Sequence, residues 1–141
     1  MQGRRLMCLA GVGLVAGAAL AQGSGPWRVV SDPKFRTTVA IDTTRIVRLP
    51  HGRVDLWEQF LLRPPRHDRD ALVGSIVLHI VADCPALQTA LRSSARYTPQ
   101  GKLISQTATF SVRDDDFTDE TAGSVEASAL QGLCTMLNHP H

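Results

Sequence analysis

The chain has 141 residues, of which 43% are hydrophobic and 20% are charged, and its formal net charge is +2. These values are ordinary for a globular protein and leave room for one domain. Because nucleic-acid binding depends on a concentrated basic patch, this composition does not support a nucleic-acid-binding protein.

Residues 1–21 have the three-part layout of a secretory signal peptide. Arg4 and Arg5 give a basic start, an uncharged run rich in Ala, Gly, Val and Leu follows, and the small residues of an Ala-x-Ala cleavage site end the segment. The apolar run of about 15 residues is shorter than the roughly 20 that a transmembrane helix needs. A cleaved signal peptide is therefore favoured over its alternative, an uncleaved membrane anchor.

We expect cleavage between Ala21 and Gln22, which leaves residues 22–141 as a single domain without a membrane span. Loss of Arg4 and Arg5 leaves 13 basic side chains against 13 acidic ones, so the processed chain has no net charge. The predicted location is the periplasm, the cell surface or the medium, reached through the N-terminal signal peptide.

The processed chain keeps two cysteines, Cys84 and Cys134, because Cys8 belongs to the signal segment. Cys8 also precedes the apolar run, so lipid attachment is not expected. Two cysteines in an exported protein predict one disulfide between them. Because this bond closes a long loop, loop entropy gives it roughly 4 kcal/mol of stabilisation as an upper figure.

The first half of the processed chain contains four predicted strands. The segments 27–30, 37–42, 45–49 and 54–62 are rich in β-branched and aromatic residues, as strands typically are. The second and third of these are expected to pair with each other. Residues 63–70 are predicted to form a polar loop, because two prolines there remove donors from any strand ladder.

The segment 72–84 has the most informative strand pattern, with apolar residues at every second position. One face contains Gly74, Ile76, Leu78, Ile80, Ala82 and Cys84. We predict that this face lies in the core and carries Cys84 with it. His79 falls on the other face, where a half-exposed strand histidine is favoured over a ligand-binding one.

The residues of segment 87–97 fit a helix and a strand equally well. Residues 98–101, with Pro second and Gly last, predict a turn. This turn leads into the strand-like segment 103–112. A hairpin around the turn favours the strand interpretation of 87–97.

Residues 124–138 have the helical period instead, and Gly123-Ser124 offers a helix start. The apolar residues fall within one arc of about 120°. They are Ala127, Leu130, Leu133, Cys134 and Leu137. Because both cysteines lie on apolar faces, the disulfide would clamp the helix across the sheet. The predicted fold class is α+β: an antiparallel β-sheet of about six strands with one C-terminal helix packed on it and tied by the disulfide.

Several short motifs follow one another along the processed chain. They are Trp27, Ile-Asp-Thr-Thr-Arg-Ile at 41–46, Val-Asp-Leu-Trp at 54–57, Asp83-Cys84, Arg92 and Tyr97 before Gly101-Lys102, and a helix from Gly123-Ser124 to Cys134. Together they resemble the surface-adhesin protein E-like family of bacterial envelope proteins. The resemblance implies a curved antiparallel sheet with a disulfide-bonded C-terminal helix, a strand at 87–97, and binding to host matrix or serum proteins. The family commonly has an aromatic-Pro segment before the helix, where this chain has residues 113–117, and its best-known adhesive member is lipid-anchored, whereas no lipid-attachment cysteine is expected here.

Motifs for catalysis and metal binding are weak in this sequence. It contains no glycine-rich phosphate loop and no nucleophile elbow, so no catalytic residue and no enzyme activity are predicted. Only His139 and His141 have a metal-like spacing, which a fraying tail explains better. No metal site and no cofactor are therefore expected.

For two charged segments, the sequence leaves open whether they bind a ligand. The acidic one contains Asp114, Asp115, Asp116, Asp119 and Glu120. Calcium is one alternative for it, but the spacing lacks the features of a known calcium loop, so a solvated acidic loop is favoured. The basic one contains Arg63, Arg66, His67 and Arg69. It could contact an acidic partner, although an ordinary exposed loop is favoured.

The predicted function is that of an exported, non-enzymatic cell-envelope protein acting as an adhesin-like protein-binding module. The alternatives are a periplasmic structural or stress protein and a small inhibitor of an envelope hydrolase. The expected partners are host matrix or serum proteins, or a periplasmic protein, and not nucleic acid. Edge strands could also pair two copies into a homodimer. The binding residues themselves are not predicted.

Overall fold

The structure, a computed structural model, describes residues 26–138. Alternating apolar and polar residues build long central strands, and the helical period near the C-terminal end builds one helix. The strands are β1 (Trp27–Val29), β2 (Thr38–Asp42), β3 (Val47–Arg48), β4 (Arg53–Asp68), β5 (Ala71–Asp83), β6 (Gln88–Tyr97), β7 (Leu103–Gln106) and β8 (Thr118–Asp119), and the helix is α1 (Val125–Asn138). The predicted α+β class is confirmed.

The strands form one antiparallel sheet with the order β1-β2-β4-β5-β6-β7. Two short strands lie beside this path, because β3 pairs with β4 and β8 pairs with β6. The described chain thus has an eight-stranded sheet, and the prediction of about six strands was wrong. β3 lies within the strand predicted at 45–49, but β8 has only two residues and shows too little alternation to be detected in a sequence.

Both β2 and β3 lie along the same edge of β4, so the prediction that they pair with each other was wrong. β2 pairs with residues 58–61 of β4, and β3 pairs with residues 54–55. Between them, the Asp42 carboxylate accepts hydrogen bonds from the Thr44 backbone N–H at 2.9 Å and from the Thr44 hydroxyl at 2.6 Å. This local turn interrupts the edge strand without reversing the chain.

β4 extends through both prolines, so the polar loop predicted at 63–70 was wrong for most of its length. The register between β4 and β5 shifts between Leu61 and Arg66, which is the stretch that contains the prolines. Residues 66–68 pair with residues 71–73 beyond it. The prolines therefore lie where the ladder needs no N–H donor from them.

β6 confirms the strand interpretation of segment 87–97, and the turn predicted at 98–101 is also present. The Gly101 backbone N–H donates to the Thr98 carbonyl oxygen at 2.9 Å. Gly101 has a φ of 85°, a conformation that glycine adopts without strain. These residues join β6 to β7 as a hairpin.

The strand predicted at 103–112 is shorter than expected, because β7 ends at Gln106. Beyond it, the backbone N–H groups of Thr107 and Phe110 donate to β6 at 2.9 and 2.7 Å. The regular ladder is lost there because β6 contains an extra residue, Arg92, at the point where its register with β5 shifts. Residues 107–113 therefore follow the β6 edge as an irregular segment.

The predicted C-terminal helix is confirmed, with Ser124 just outside it as the N-cap. The Ser124 hydroxyl accepts a hydrogen bond from the Ala127 backbone N–H at 3.1 Å. This bond satisfies one of the free donors at the helix start. The residues of α1 that are buried against the sheet are Ala129, Leu130, Leu133 and Cys134.

Two contacts hold α1 against the segment between β1 and β2. The Asp32 backbone N–H donates to the Ser128 hydroxyl at 2.8 Å. A Cβ atom at Gly132 would lie 2.0 Å from the carbonyl oxygen of Val30. A glycine inside a helix costs about 1 kcal/mol relative to alanine. The close approach of the two backbones explains why it is present here.

The core lies between α1 and the sheet face that it covers, which we call the helix face. Ile41, Leu56 and Leu133 have no exposed surface there. Ile80 and Ala82 are buried in the same cluster, and Leu78 and Cys84 pack against it. The predicted core face of β5 is therefore confirmed from Leu78 to Cys84, whereas near the register shift Val73, which was not on that predicted face, is buried in the core.

Candidate functional site

Cys84 and Cys134 form the predicted disulfide, with 5.5 Å between their Cα atoms. Cys84 directly follows β5, and Cys134 lies in the second half of α1. The bond therefore ties the helix to the end of a central strand. This attachment holds the second half of α1 against the sheet.

A cavity of about 280 Å³ lies between the first half of α1 and the helix face of the sheet. Its apolar walls are formed by Phe60, Leu78, Ile80, Leu91 and Leu130. Three carboxyl side chains also line it: Glu58, Glu120 and Glu126. These are all the glutamates in the chain, whereas no aspartate lines this space. The long acidic side chains thus converge on one place.

Glu58 occupies a core position of β4, between Leu56 and Phe60 on the helix face. The residue exposes only 6% of its surface. No hydrogen bond from another group of residues 26–138 reaches its carboxyl oxygens, which border the cavity rather than being fully enclosed by protein. Burial, together with the negative charges of Glu120 and Glu126, raises the pKa of Glu58 to about 8. At neutral pH this carboxyl group is therefore mostly protonated.

Glu120 and Glu126 come from two other parts of the fold. Glu120 directly follows β8, and one of its carboxylate oxygens accepts a hydrogen bond from the Thr89 hydroxyl at 2.5 Å. Glu126 lies in the first turn of α1, where the positive end of the helix dipole favours a negative charge. No lysine, arginine or histidine from the described part of the chain lines the cavity. The acidic groups therefore face one another without a counter-ion.

An open groove of about 760 Å³ adjoins the cavity at Leu91, which lines both. Its remaining lining comes from the irregular segment after β7 and from one residue that follows it: Thr109, Phe110, Ser111 and Arg113, and then Asp116. Leu91 and Phe110 expose 46% and 52% of their surfaces. Because the Phe110 backbone is hydrogen-bonded to β6, the groove has a fixed wall. Two large apolar side chains are thus presented next to an acidic cavity.

The opposite face of the sheet also carries charged side chains, but these are paired. The Asp55 carboxylate lies 2.7 Å from His79 Nε2 and accepts a hydrogen bond from Arg92 at 2.5 Å. The His79 ring stacks on Trp57 with 4.3 Å between ring centroids, and the Arg45 guanidinium lies 4.7 Å from the Trp57 ring centroid. The Asp55 carboxylate is thus paired with two side chains in a structural network, in which Arg92 Nε is buried without a hydrogen-bond partner.

His79 lies on the predicted face of β5, but the prediction of a half-exposed histidine was wrong. Its side chain exposes only 14% of its surface, because Trp57 covers the ring and Asp55 binds its edge. Ligand binding was the less favoured interpretation, and the contact with Asp55 gives this histidine a partner within the fold.

The acidic segment 114–120 does not converge on a single point. Its members bind elsewhere: Asp114 to Arg53, Asp116 to the Arg113 backbone, Asp119 to Gln88 and Glu120 to Thr89. No group of three metal-ligating side chains occurs within residues 26–138. Calcium binding by this segment therefore gains no support from the structure.

The basic side chains predicted for a loop are exposed at the end of the β4–β5 hairpin. Arg63, Arg66 and His67 lie in the exposed part of β4, and Arg69 lies in the turn that follows. None of them lines the acidic cavity.

Several predicted features lie outside the described residues. They are the signal peptide with its cleavage site at Ala21 and Gln22, and the histidine pair His139 and His141. Over the part of the chain that is described, no helix combines the length and the apolar character needed to cross a membrane.

The convergence of the three glutamates was missed at the sequence level, although one signal was present. The residues at 54, 56, 58, 60 and 62 alternate as one core face, and Glu58 is the only charged member of that set. A charged residue at a core position of a strand is an exception to the usual pattern. Nothing in the sequence placed Glu120 and Glu126 beside it, because that depends on how α1 crosses the sheet.

Comparison with known proteins gives no match: no protein-family model, no curated protein and no solved structure is similar to this chain.

Proposed function

We propose that this chain is an exported cell-envelope protein that binds a protein partner, as the adhesin-like family that its motifs resemble does. The observation that carries the proposal is the groove beside β6, where Leu91 and Phe110 are about half exposed on a fixed backbone. Large apolar side chains grouped in one open groove are typical of surfaces that a partner covers.

The groove suits a peptide segment or loop of a partner better than a small substrate. It is open along the β6 edge, and its walls combine two apolar side chains with hydroxyl and charged groups. Apolar side chains at the centre of a contact supply most of its affinity, and polar groups around them supply specificity. An extended apolar segment of a host matrix, serum or periplasmic protein has the matching chemistry.

The disulfide supports the exported location. Such bonds persist in oxidising compartments and are rare in the reducing cytosol. The bond between Cys84 and Cys134 joins two elements that are distant in sequence, so the fold uses it as a structural tie. This agrees with the secretory signal predicted for residues 1–21.

Binding is tested with surface plasmon resonance, using the immobilised protein and a panel of matrix, serum and periplasmic proteins. At least one of them should bind the unchanged protein. Leu91→Ser should raise the dissociation constant of that complex by about tenfold or more, since a central apolar contact is worth about 2 kcal/mol. Leu103→Ser is the matched control, because Leu103 exposes 44% of its surface but lines neither the groove nor the cavity. Equal binding by both variants and the unchanged protein would remove the groove from the proposal.

Location is tested by protease treatment of intact producing cells, followed by detection in surface, periplasmic and medium fractions. Loss of the protein from treated cells, or its presence in the medium, supports adhesion to host proteins. Protection until the outer membrane is opened directs the search to periplasmic partners, with a structural protein or an enzyme inhibitor as the function. Retention in the cytosol would contradict export.

A further inference from the structure

The acidic cavity is a second feature beside the groove, and no basic side chain of residues 26–138 lines it. Its three carboxyl groups come from β4, from the residue after β8 and from the first turn of α1. No other titratable group from the described residues lines it. Glu58 is more than nine-tenths buried, its carboxyl group lines this space, and no hydrogen bond within residues 26–138 reaches it there. A buried polar group without a partner is destabilising, so a missing partner is a physical explanation for its position.

We infer that the cavity lined by Glu58, Glu120 and Glu126 binds an ammonium group carried on a short alkyl chain. The ammonium group offers three N–H donors to the three carboxyl side chains. The alkyl chain lies against the apolar walls, as lysine stems do on apolar surfaces. Such a ligand complements both the carboxyl groups and the apolar walls of the cavity.

Other classes of ligand fit less well. An anion would meet three acidic groups, and a neutral apolar molecule would leave Glu58 without a partner. A metal ion takes a full set of oxygen ligands, whereas much of this lining is hydrocarbon, and no metal-ligating cluster occurs within residues 26–138. The cavity is also slightly smaller than the roughly 300–1,000 Å³ that is usual for drug-sized ligands. One alkylammonium chain is of the right size.

This chemistry has two sources, a free small amine and the side chain of a lysine on a bound protein. Both present the same group, a cation at the end of three or four methylenes. In the second case the lysine would reach the cavity past Leu91, which the groove and the cavity share. The inference does not depend on the groove, because a free amine needs no protein partner.

The test is a titration of the disulfide-bonded protein at pH 8.5, followed by the amide NMR signals of Glu58, Thr89 and Leu130. The probes are n-butylammonium chloride, N-acetyl-lysine methylamide and 1-butanol, which matches the first in size but has no charge. We expect saturable shifts with one or both ammonium compounds and at least tenfold weaker binding of 1-butanol. Stronger binding of n-butylammonium identifies a free amine, and stronger binding of the lysine compound identifies a protein side chain.

Affinity should rise with pH between 6.5 and 8.5, by about tenfold, because Glu58 must lose its proton to pair with the cation. Glu58→Gln should abolish both the binding and this pH dependence. Asp119→Asn is the control, because Asp119 is a nearby acid that binds Gln88 outside the cavity.

If the Glu58 variant does not fold, Glu126→Gln serves instead, since that side chain is exposed. The inference is overturned if neither ammonium compound shifts these signals, if 1-butanol binds equally well, or if a folded Glu58→Gln protein binds as before.

Discussion

The two faces of the sheet hold their charged groups in opposite ways. On the face away from the helix, Asp55 has two partners, His79 and Arg92, at 2.7 and 2.5 Å. On the helix face, no hydrogen bond within the described chain reaches the Glu58 carboxyl group, and the other charged groups that line its cavity are two further glutamates. The Asp55 carboxylate is paired with basic side chains, whereas the Glu58 carboxyl group faces only further acids.

This difference separates a structural network from a candidate ligand site. Charges that are paired within the fold need nothing from outside, so Asp55 and its partners are explained by stability alone. Buried acidic groups without a cation cost free energy in the unliganded protein. A position that lowers stability and serves no internal contact is where a ligand is expected.

The largest expected effect comes from Glu58→Gln and depends on pH. The folded-state pKa of Glu58 is raised from its ordinary value of 4.5 to about 8. The folded protein therefore binds more protons than the unfolded chain between these values, and stability falls as pH rises through this window, by up to about 1.4 kcal/mol per pH unit. The variant should lack this loss and be more stable than the unchanged protein above pH 8, as measured by urea unfolding at pH 5 and pH 9.

Glu126→Gln is the matched control for this comparison, because it makes the same substitution at an exposed glutamate of the same cavity. The Glu126→Gln protein should still lose most of the unfolding free energy that the unchanged protein loses between pH 5 and pH 9. An unchanged protein with equal stability at pH 5 and pH 9 would mean that Glu58 is not the buried, unpaired acid described here.

The second effect concerns the disulfide that holds α1 over the cavity. The double substitution Cys84→Ala and Cys134→Ala should lower the free energy of unfolding by about 2–4 kcal/mol, because the unfolded chain loses a long closed loop. Hydrogen exchange should accelerate in α1 more than in the central part of β5, since the helix is the element that the bond attaches. Uniform acceleration across both elements would contradict a local role for the tie.

The smallest effect concerns the paired face. Asp55→Asn removes the negative partner of Arg92, whose side chain is only 33% exposed, and should cost about 1–3 kcal/mol in unfolding free energy. Asp115→Asn is the control: Asp115 lies 3.9 Å from Arg113, and both side chains are about four-fifths exposed, so no measurable change is expected. Loss of the same size in both variants would show that the Asp55 network contributes no more than an exposed surface pair.

The elements that could be predicted from the sequence are those with a long periodic pattern. The face of β5 that contains Ile80 and Ala82 and the apolar arc of α1 both follow from one dominant period, and the two cysteines then determine how strand and helix meet. The strand at 87–97 could be predicted only with the help of the turn that follows it, because its own residues fit the helical and the strand period equally well. Such arguments work where many residues repeat the same preference.

The misplaced elements are those that depend on one or two side chains or on distant partners. The Asp42 turn keeps β2 and β3 on one edge of β4, and a register shift accommodates the prolines of β4. Neither is visible as periodicity. The acidic cavity could not be predicted for a different reason. Glu58 was detectable as a charged residue at a core position, but Glu120 and Glu126 come close to it only after the whole sheet has formed.

The contact at Gly132 has a consequence for natural variation in this fold. A side chain at position 132 would overlap the Val30 carbonyl oxygen, so the helix and the segment after β1 must change together. In any set of homologous sequences, the residue at 132 should be glycine wherever the segment 30–32 keeps its length. A larger residue there should coincide with an insertion or deletion in that segment. Such a covarying pair would mark the lineages in which the helix has shifted and the acidic cavity has changed its size.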